Sequence, residues 1–475
     1  MTTRLEAGGP LDRSGGPLDR FFDLTARRST VAREVRGGVT TFVAMAYIIL
    51  LNPIILGGAT DVTGAKLSIS QLTTMTALAA AISTIIMGLV GNAPLALASG
   101  LGINAVIAFQ AAPHMTWPQA MGLVVLEGVI IVILAVTGLR ERIMNAIPLA
   151  IKHAIAAGIG AFIALIGMVD SGFVSPGDGT PLNLGTGGHL AGWPVLVFVI
   201  GLLLMIVLYV RRVPGAILLS IAVATVLAVI LNSNATIAAK AWGTVVPKLP
   251  SKLVSTPDFG LIGKVDLFGG FGRAGVLTAL VLLFTLVLSG FFDAMGTILG
   301  LTEEAGLLDE EGRVPKLGRI LAVDGLAAIT GGLTSSSAGT VFVESAAGIG
   351  EGARTGLANI VTGILFALTL FLTPIAAVVP AQAAAPALVI VGALMMTQVA
   401  KIAWSDLDIA IPAFLAIVVM PFTYSITNGV GAGVIAYTVI QTARGRWAGW
   451  LLWLISVVFV AYFGITVIEK IFGIS

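Results

Sequence analysis

Apolar residues run along this chain in long blocks separated by short polar breaks. A helix crossing a hydrocarbon core of roughly 30 Å needs about 20 apolar residues. By that measure the blocks predict spans over residues 39–57, 72–91, 95–112, 121–139, 147–168, 193–210, 214–232, 274–300, 317–333, 339–350, 355–374, 386–400, 408–426 and 428–443. That makes fourteen, and a further apolar stretch, 448–468, either spans or lies at the interface. Two blocks are poor helices. The third reads NAPLALASGLGINAVIAF, with Pro94, Gly100 and Gly102 before Asn104; the tenth reads GGLTSSSAGTVFVESAAG, with Gly331, Gly332 and Gly339 before Glu344. Glycine disfavours helix and serine hydroxyls compete for backbone bonds, so each is expected to be part extended strand and part short helix.

The placing of these two blocks carries information. Asn104 and Glu344 are 240 residues apart, each in the third span of a seven-span half. Interrupted spans at matching positions are the signature of an inverted-repeat transporter whose broken segments meet at the bilayer midplane. Irregular backbone at that depth is tolerated only where protein or a water-filled cavity surrounds it. The predicted fold class is therefore an all-α polytopic membrane protein, built as a 7+7 inverted repeat with short strands in spans three and ten.

Composition agrees and narrows the chemistry. Of 475 residues, 57% are hydrophobic and 11% charged, with a mean hydropathy of +1.03; so few charges cannot cover a soluble core of this size. There is no cysteine, so disulfides, thiolate metal sites and cysteine nucleophiles are excluded. His114, His153 and His189 are scattered, and neither G-x-S-x-G nor H-E-x-x-H occurs. An enzyme is not expected, nor are a cofactor, a metal site or nucleic-acid binding.

Charge orients the chain. With the N-terminus in the cytoplasm, the loops after even-numbered spans hold Arg140, Arg142, Lys152, Arg211, Arg212, Arg313, Lys316, Arg319, Arg354, Lys401, Arg444 and Arg446. Together with the seven basic residues of the first 38, nineteen of the 26 then lie inside, as the positive-inside rule requires. The N-terminal tail carries GGPLDR twice, at 8–13 and 15–20, and is expected to be disordered.

Acids well inside the spans are Glu127, Asp293, Asp324 and Glu344. An ionisable group at the bilayer centre is costly, and its default reading is functional. Glu344 follows the break, where a half-helix starting near Ser345 would offer unpaired N–H groups. It reads as a carboxylate for the donors of a flat polar ligand, or as a helix N-cap. Asp293, beside Phe292 in span eight, reads as a proton carrier, because burial disfavours the charged carboxyl, or as a structural hydrogen-bond partner. Asn104 offers a donor and an acceptor to a ligand, or caps interrupted backbone. Tyr47, Phe109 and Phe342 are candidates for stacking on a planar ring. Glu127 and Asp324, away from either break, read as structural, and EEAGLLDEEGR at 303–313 reads as a solvated loop.

EVRGGVTTFVAMAYIILLNPIIL (34–56), PLALASGLGINAVIAF, FFDAMGTILG, VFVESAAGIGEGARTGL, APALVIVGALMM and AIPAFLAIVVMPFTYSITNGVGAG together resemble the AzgA-like purine permeases of the nucleobase–cation symporter-2, or nucleobase–ascorbate transporter, superfamily. The likeness covers residues 21 to 445. It implies a fold like that of the uracil permeases. Residues 39–139 (spans one to four) and 274–375 (eight to eleven) form a core domain; 140–235 and 376–445 form a gate domain. Outside these lie the tail 1–38, an extracellular loop 236–273 and a C-terminal apolar helix 446–475. The resemblance implies import of guanine, hypoxanthine or adenine with protons, across the plasma membrane, by a homodimer joined through its gate domains.

By motif, Glu344 is the tenth-span glutamate that grips the base, Asn104 the third-span asparagine, and Asp293 the second acid of the eighth-span motif. Phe342 and Val343 would run as a short strand against span three. Ser345, Phe292 and Met45 complete the expected binding set, with Asp293 and Glu344 handling protons. One departure stands out: Gly290 occupies the place of the first eighth-span acid. Ala294 replaces a common threonine and Phe342 a common tyrosine, so substrate preference is expected to have shifted and coupling to rest on fewer acids. A uracil, xanthine or other small-solute symporter of the same fold, or a sensor that binds without transporting, are the competing readings.

Overall fold

The computed structural model describes residues 16–137, 148–177, 179–235, 237–243, 245–250, 252–309 and 314–464. The helices among them are α1 (Pro17–Phe22), α2 (Val31–Met45), α3 (Ile48–Gly58), α4 (Ile69–Ile86), α5 (Leu101–Val106), α6 (Trp117–Thr137), α7 (Leu149–Asp170), α8 (Trp193–Val210), α9 (Ala216–Asn234) and α10 (Gly269–Arg273). They continue as α11 (Val276–Glu304), α12 (Leu317–Leu333), α13 (Ser345–Gly350), α14 (Gly356–Thr369), α15 (Thr373–Ala376), α16 (Ala381–Met396), α17 (Leu407–Phe422), α18 (Ile426–Ala443) and α19 (Trp450–Phe463). Four short strands, β1 (Leu97–Ser99), β2 (Val174–Gly177), β3 (Thr180–Leu184) and β4 (Gly339–Val341), form two antiparallel pairs, β1 with β4 and β2 with β3. Among the described residues, eight helical segments are long and apolar enough to cross a membrane, judged by length and composition. The protein is thus a helical, multi-pass membrane protein.

Lipid tails are as apolar as leucine, so helices in a bilayer associate through close backbone approach at small residues rather than through hydrophobic drive. Two glycine contacts show this. α6 lies along α12, where a Cβ on Gly128 would stand 2.6 Å from the carbonyl oxygen of Gly325. α7 lies along α16, where a Cβ on Gly160 would meet the Gly392 carbonyl oxygen at 2.6 Å. The other principal packings join α4 and α2 to α14, α2 to α13, α6 to α11, α5 to α11, α7 to α17, α8 to α16 and α9, and α17 to α18. α8 and α9 leave much of their apolar surface exposed, as helices facing lipid do.

Several expected elements move. The first span begins at Val31 and is interrupted at Ala46 and Tyr47, where the N–H groups of Ile49 and Leu50 bond three residues back. Spans three and ten are each strand plus short helix, but the second strand is residues 339–341, ending before Phe342 and Val343. α11 runs unbroken to Glu304. The β2–β3 hairpin was not expected; a break in apolar character at SPGDGTPLN permits it. In the tail, the second GGPLDR copy enters a helix with Pro17 in its first turn, where its missing N–H costs nothing, and Phe22 is buried. The first copy lies outside the described residues. α19 has 14 residues, which at 1.5 Å each is about 21 Å, short of the core thickness.

The α3–α4 connection is tied down by Asp61. Its carboxylate accepts from the Thr63 N–H (2.8 Å), the Thr63 hydroxyl (2.6 Å), the Ala65 N–H (3.0 Å) and the Trp117 N–H (3.1 Å). Burial alone would push this carboxyl up, but the bonds from Thr63, Trp117 and Ala65 hold it below the ordinary carboxylate range. A lowered folded value means the stabilisation is present above the unfolded value and is lost as pH falls through the folded one. Asp61→Asn is therefore expected to lower the unfolding temperature of the detergent-solubilised protein at pH 7, with the gap to wild type closing below about pH 4. Gly392→Val, which forces α7 and α16 apart, is expected to cost about 1–3 kcal/mol in the same measurement.

Candidate functional site

β1 and β4 cross antiparallel, with Leu97 opposite Val341, Ala98 opposite Thr340 and Ser99 opposite Gly339. Two further bonds extend the ladder, from the Gly100 N–H to the Ala338 oxygen and from the Phe342 N–H to the Ala96 oxygen, both 2.9 Å. Three-residue strands leave backbone groups unpaired on their outer edges, and a bilayer offers no water to satisfy them. Side chains from neighbouring helices supply the bonds. Thr84 on α4 donates to the Leu97 oxygen (2.8 Å) and accepts from its N–H (3.0 Å). Asn359 on α14 donates to the carbonyls of Ala93 (3.0 Å) and Leu95 (2.7 Å). Asn52 on α3 donates to the Ser336 oxygen (3.0 Å) and to the Thr76 hydroxyl (2.7 Å). Ser345 accepts from the Ala96 N–H at 3.0 Å.

Immediately after β4 the chain turns into α13, with Glu344 at its N-cap position but without a capping bond from its side chain. The expected free N–H groups are engaged: those of Ser345, Ala346 and Ala347 donate to the carbonyls of Phe342 (3.1 Å), Val343 (3.0 Å) and Glu344 (3.0 Å). The chain turns tightly enough to satisfy its own donors. The Glu344 carboxylate instead takes the Tyr47 hydroxyl as donor, across from the break between α2 and α3. Glu344 remains partly accessible while Tyr47 is buried. The Tyr47 and Phe342 rings lie 6.4 Å apart at 47°.

The other expected residues divide. Met45 and Phe342 are buried beside this point, Val343 is half-exposed, and the Ser345 hydroxyl is committed to β1. Asn104 on α5 is fully buried, and neither of its amide atoms has a partner, so it caps nothing. Position 293 lies in α11, but the side chains of Phe292 and Asp293 lie outside the described residues. Phe109 packs edge-on against Tyr424 at 5.4 Å, which in turn meets Phe162 at 5.1 Å. Beside it, the Gln110 carbonyl accepts from the Thr427 hydroxyl (2.6 Å), the Thr427 N–H (3.2 Å) and the Ser425 hydroxyl (3.1 Å), linking the third span to the start of α18.

Sequence reasoning missed Asn52, Thr84, Asn359 and the Glu344 partnership of Tyr47. The usable signal was a lone amide in an apolar helix, as in LLNPII and LANIV. It missed Glu34 as well, a fully buried acid on α2 that accepts from the N–H groups of Arg354 (2.9 Å), Thr355 (3.3 Å) and Ala358 (3.3 Å) at the start of α14. A carboxylate with one donor and partial access can accept further N–H donors from a ligand. Among the described residues of this arrangement none pair as nucleophile and base. Asn359→Ala, which strips two buried carbonyls of their donor, is expected to cost about 2–4 kcal/mol, read as a lowered unfolding temperature in detergent.

Residues 32–432 match a family model described as the Permease family. Over 435 residues the chain is 35% identical to the adenine permease AdeP of Escherichia coli K12, covering 91% of this chain and 92% of that protein. Over 441 residues it is 36% identical to the guanine/hypoxanthine permease PbuG of Bacillus subtilis 168, covering 90% and 95% respectively. Among solved structures, the transmembrane domain of a cyanobacterial bicarbonate transporter, BicA, superposes with a TM-score of 0.60 at 16% identity, covering 85% of this chain and 97% of that one. That likeness concerns the fold alone.

Proposed function

The chain belongs to the Permease family, as a transporter and not an enzyme, and from that premise we propose that it imports a purine nucleobase together with protons by alternating access. The observation that carries the choice of cargo is the Glu344 carboxylate, held by Tyr47 beside the strand crossing in a residue that stays partly accessible. Relatives named as adenine and as guanine/hypoxanthine permeases support a purine. Guanine presents N1–H and N2–H side by side, a match for one carboxylate, and hypoxanthine presents N1–H; adenine has no N1–H. Guanine or hypoxanthine is therefore the preferred cargo, with Phe342 as an aromatic neighbour of the ring and Asp293 and Glu344 as the groups that handle protons.

The 7+7 inverted repeat is supported by the packing pattern. If each span in the first half corresponds to the one seven later, the α4–α14 contact corresponds to α12–α6, α8–α16 to α17–α7, and α8–α9 to α17–α18. The β1–β4 and α7–α16 contacts correspond to themselves. Spans one to four and eight to eleven then form the core, and the remainder the gate, with Gln110 and Phe109 meeting gate residues at the boundary. Basic loops support an N-terminus in the cytoplasm, and a plasma-membrane location and a homodimer through the gate domains accompany this reading.

Uptake into proteoliposomes tests it. Labelled guanine or hypoxanthine should enter faster with an inward proton gradient, competed by purines and not by uracil. Glu344→Gln should weaken guanine binding by about 2–4 kcal/mol, roughly 30- to 800-fold. Competition by uracil or xanthine alone would reassign the cargo, and binding without uptake would make the protein a sensor.

A further inference from the structure

Glu127 sits in the middle of α6 and is fully buried; neither carboxylate oxygen has a hydrogen-bond partner. It does not point into empty protein. One of its oxygens, Oε1, lies 2.6 Å from where a Cβ on Gly290 would stand, and the side chains of Ile103 and Ile131 close the same spot at 3.3 and 3.8 Å. A carboxyl group reaching from α6 thus occupies the space that any side chain at position 290 of α11 would need. A Cβ at position 290 would have to displace that carboxyl, the far end of a flexible side chain.

Ile103 belongs to α5, the short helix continuing from β1, so this carboxyl lies against the same broken span that carries Asn104. A buried, unpaired carboxylate is costly in a protein interior and more so at membrane depth. A group with no donor therefore changes its charge only as water or a ligand reaches it. The ionisable groups around it are few. Asp324, facing from α12, is near enough for its charge to act on Glu127, and position 293 follows one turn after Gly290 on α11. The α10 glycines Gly269 and Gly270 face Gln119 of α6, two turns away.

We propose that Glu127 is a proton carrier of this transporter, its carboxyl standing on α6 where the chain has no acid at position 290 of α11. The inference rests on the transport reading above and adds the residue through which protons pass. On one face of the membrane the carboxylate binds a proton to become the carboxylic acid, and on the other it releases that proton. No other bond is made or broken.

The experiment is full-length protein in proteoliposomes holding a pH-sensitive dye, with labelled guanine added outside. Entry of protons and of guanine is measured together, and their ratio cancels partial losses of active protein. Glu127→Gln is expected to cut the protons entering per guanine at least tenfold and to flatten the pH dependence of entry. Glu127→Ala with Gly290→Asp, which returns a carboxyl to the same space from α11, is expected to restore the ratio to within about twofold of wild type. A Glu127→Gln protein with the wild-type ratio would overturn the proposal. Should Glu127→Gln fail to fold, a folded double variant without proton entry would overturn it equally. If wild type itself moves no purine, the transport reading fails and this inference falls with it. If wild type couples and Glu127→Gln couples as well, the inference alone falls.

Discussion

Backbone that leaves the helix inside a bilayer must find every hydrogen bond within the protein, and this structure is organised around that obligation. β1 and β4 satisfy one another along facing edges, and Thr84, Asn359, Asn52 and Ser345 satisfy what remains. These helpers come from the first, second, tenth and eleventh blocks of the chain. Segments hundreds of residues apart are thereby drawn to one point, and the helices bearing them must pack closely enough to reach it. The abundance of glycine at the helix contacts follows from that demand. With a Cβ on Gly128 or Gly160 the backbones could not approach so far.

The same obligation explains where chemistry is possible. A polar group that completes the backbone network is spent, as Ser345 shows. Groups left over are the ones free to meet something that comes and goes. By that criterion Glu344, with one oxygen on Tyr47 and partial access, differs from Glu34, whose oxygens are saturated by the start of α14. Asn104 and Glu127, buried with no partner, belong with Glu344. Glu127 had looked structural because it lies away from either break in the sequence; in space it lies beside the residue that follows one of them.

Hydropathy blocks alone located most of the helices to within about five residues, because length and apolar content are local properties, although the first begins at Val31 rather than residue 39. The two interruptions at Gly100 and Gly339 were legible for the same reason, as was Glu344 beside one of them. Three features were not legible. The first span breaks at Tyr47, whose hydroxyl meets Glu344, a partner 297 positions away. The strand ends at Val341, since the turn into α13 consumes Phe342 and Val343. The tail helix α1 forms because Phe22 finds a buried place beside Leu357.

What the amino-acid sequence determined by itself is the membrane as solvent, the order of most helical blocks, two places where helix fails, and some of the buried acids, Glu127 and Asp324 among them. Each follows from composition within a window of about twenty residues. Tertiary structure decided that Glu34 is saturated while Glu344 keeps partial access, which lone asparagine or threonine serves the strand crossing, and that the Glu127 carboxyl stands beside Gly290. Those are facts about distance between residues remote in sequence. Hydrogen bonding and steric exclusion act over a few ångströms, and no local pattern encodes them.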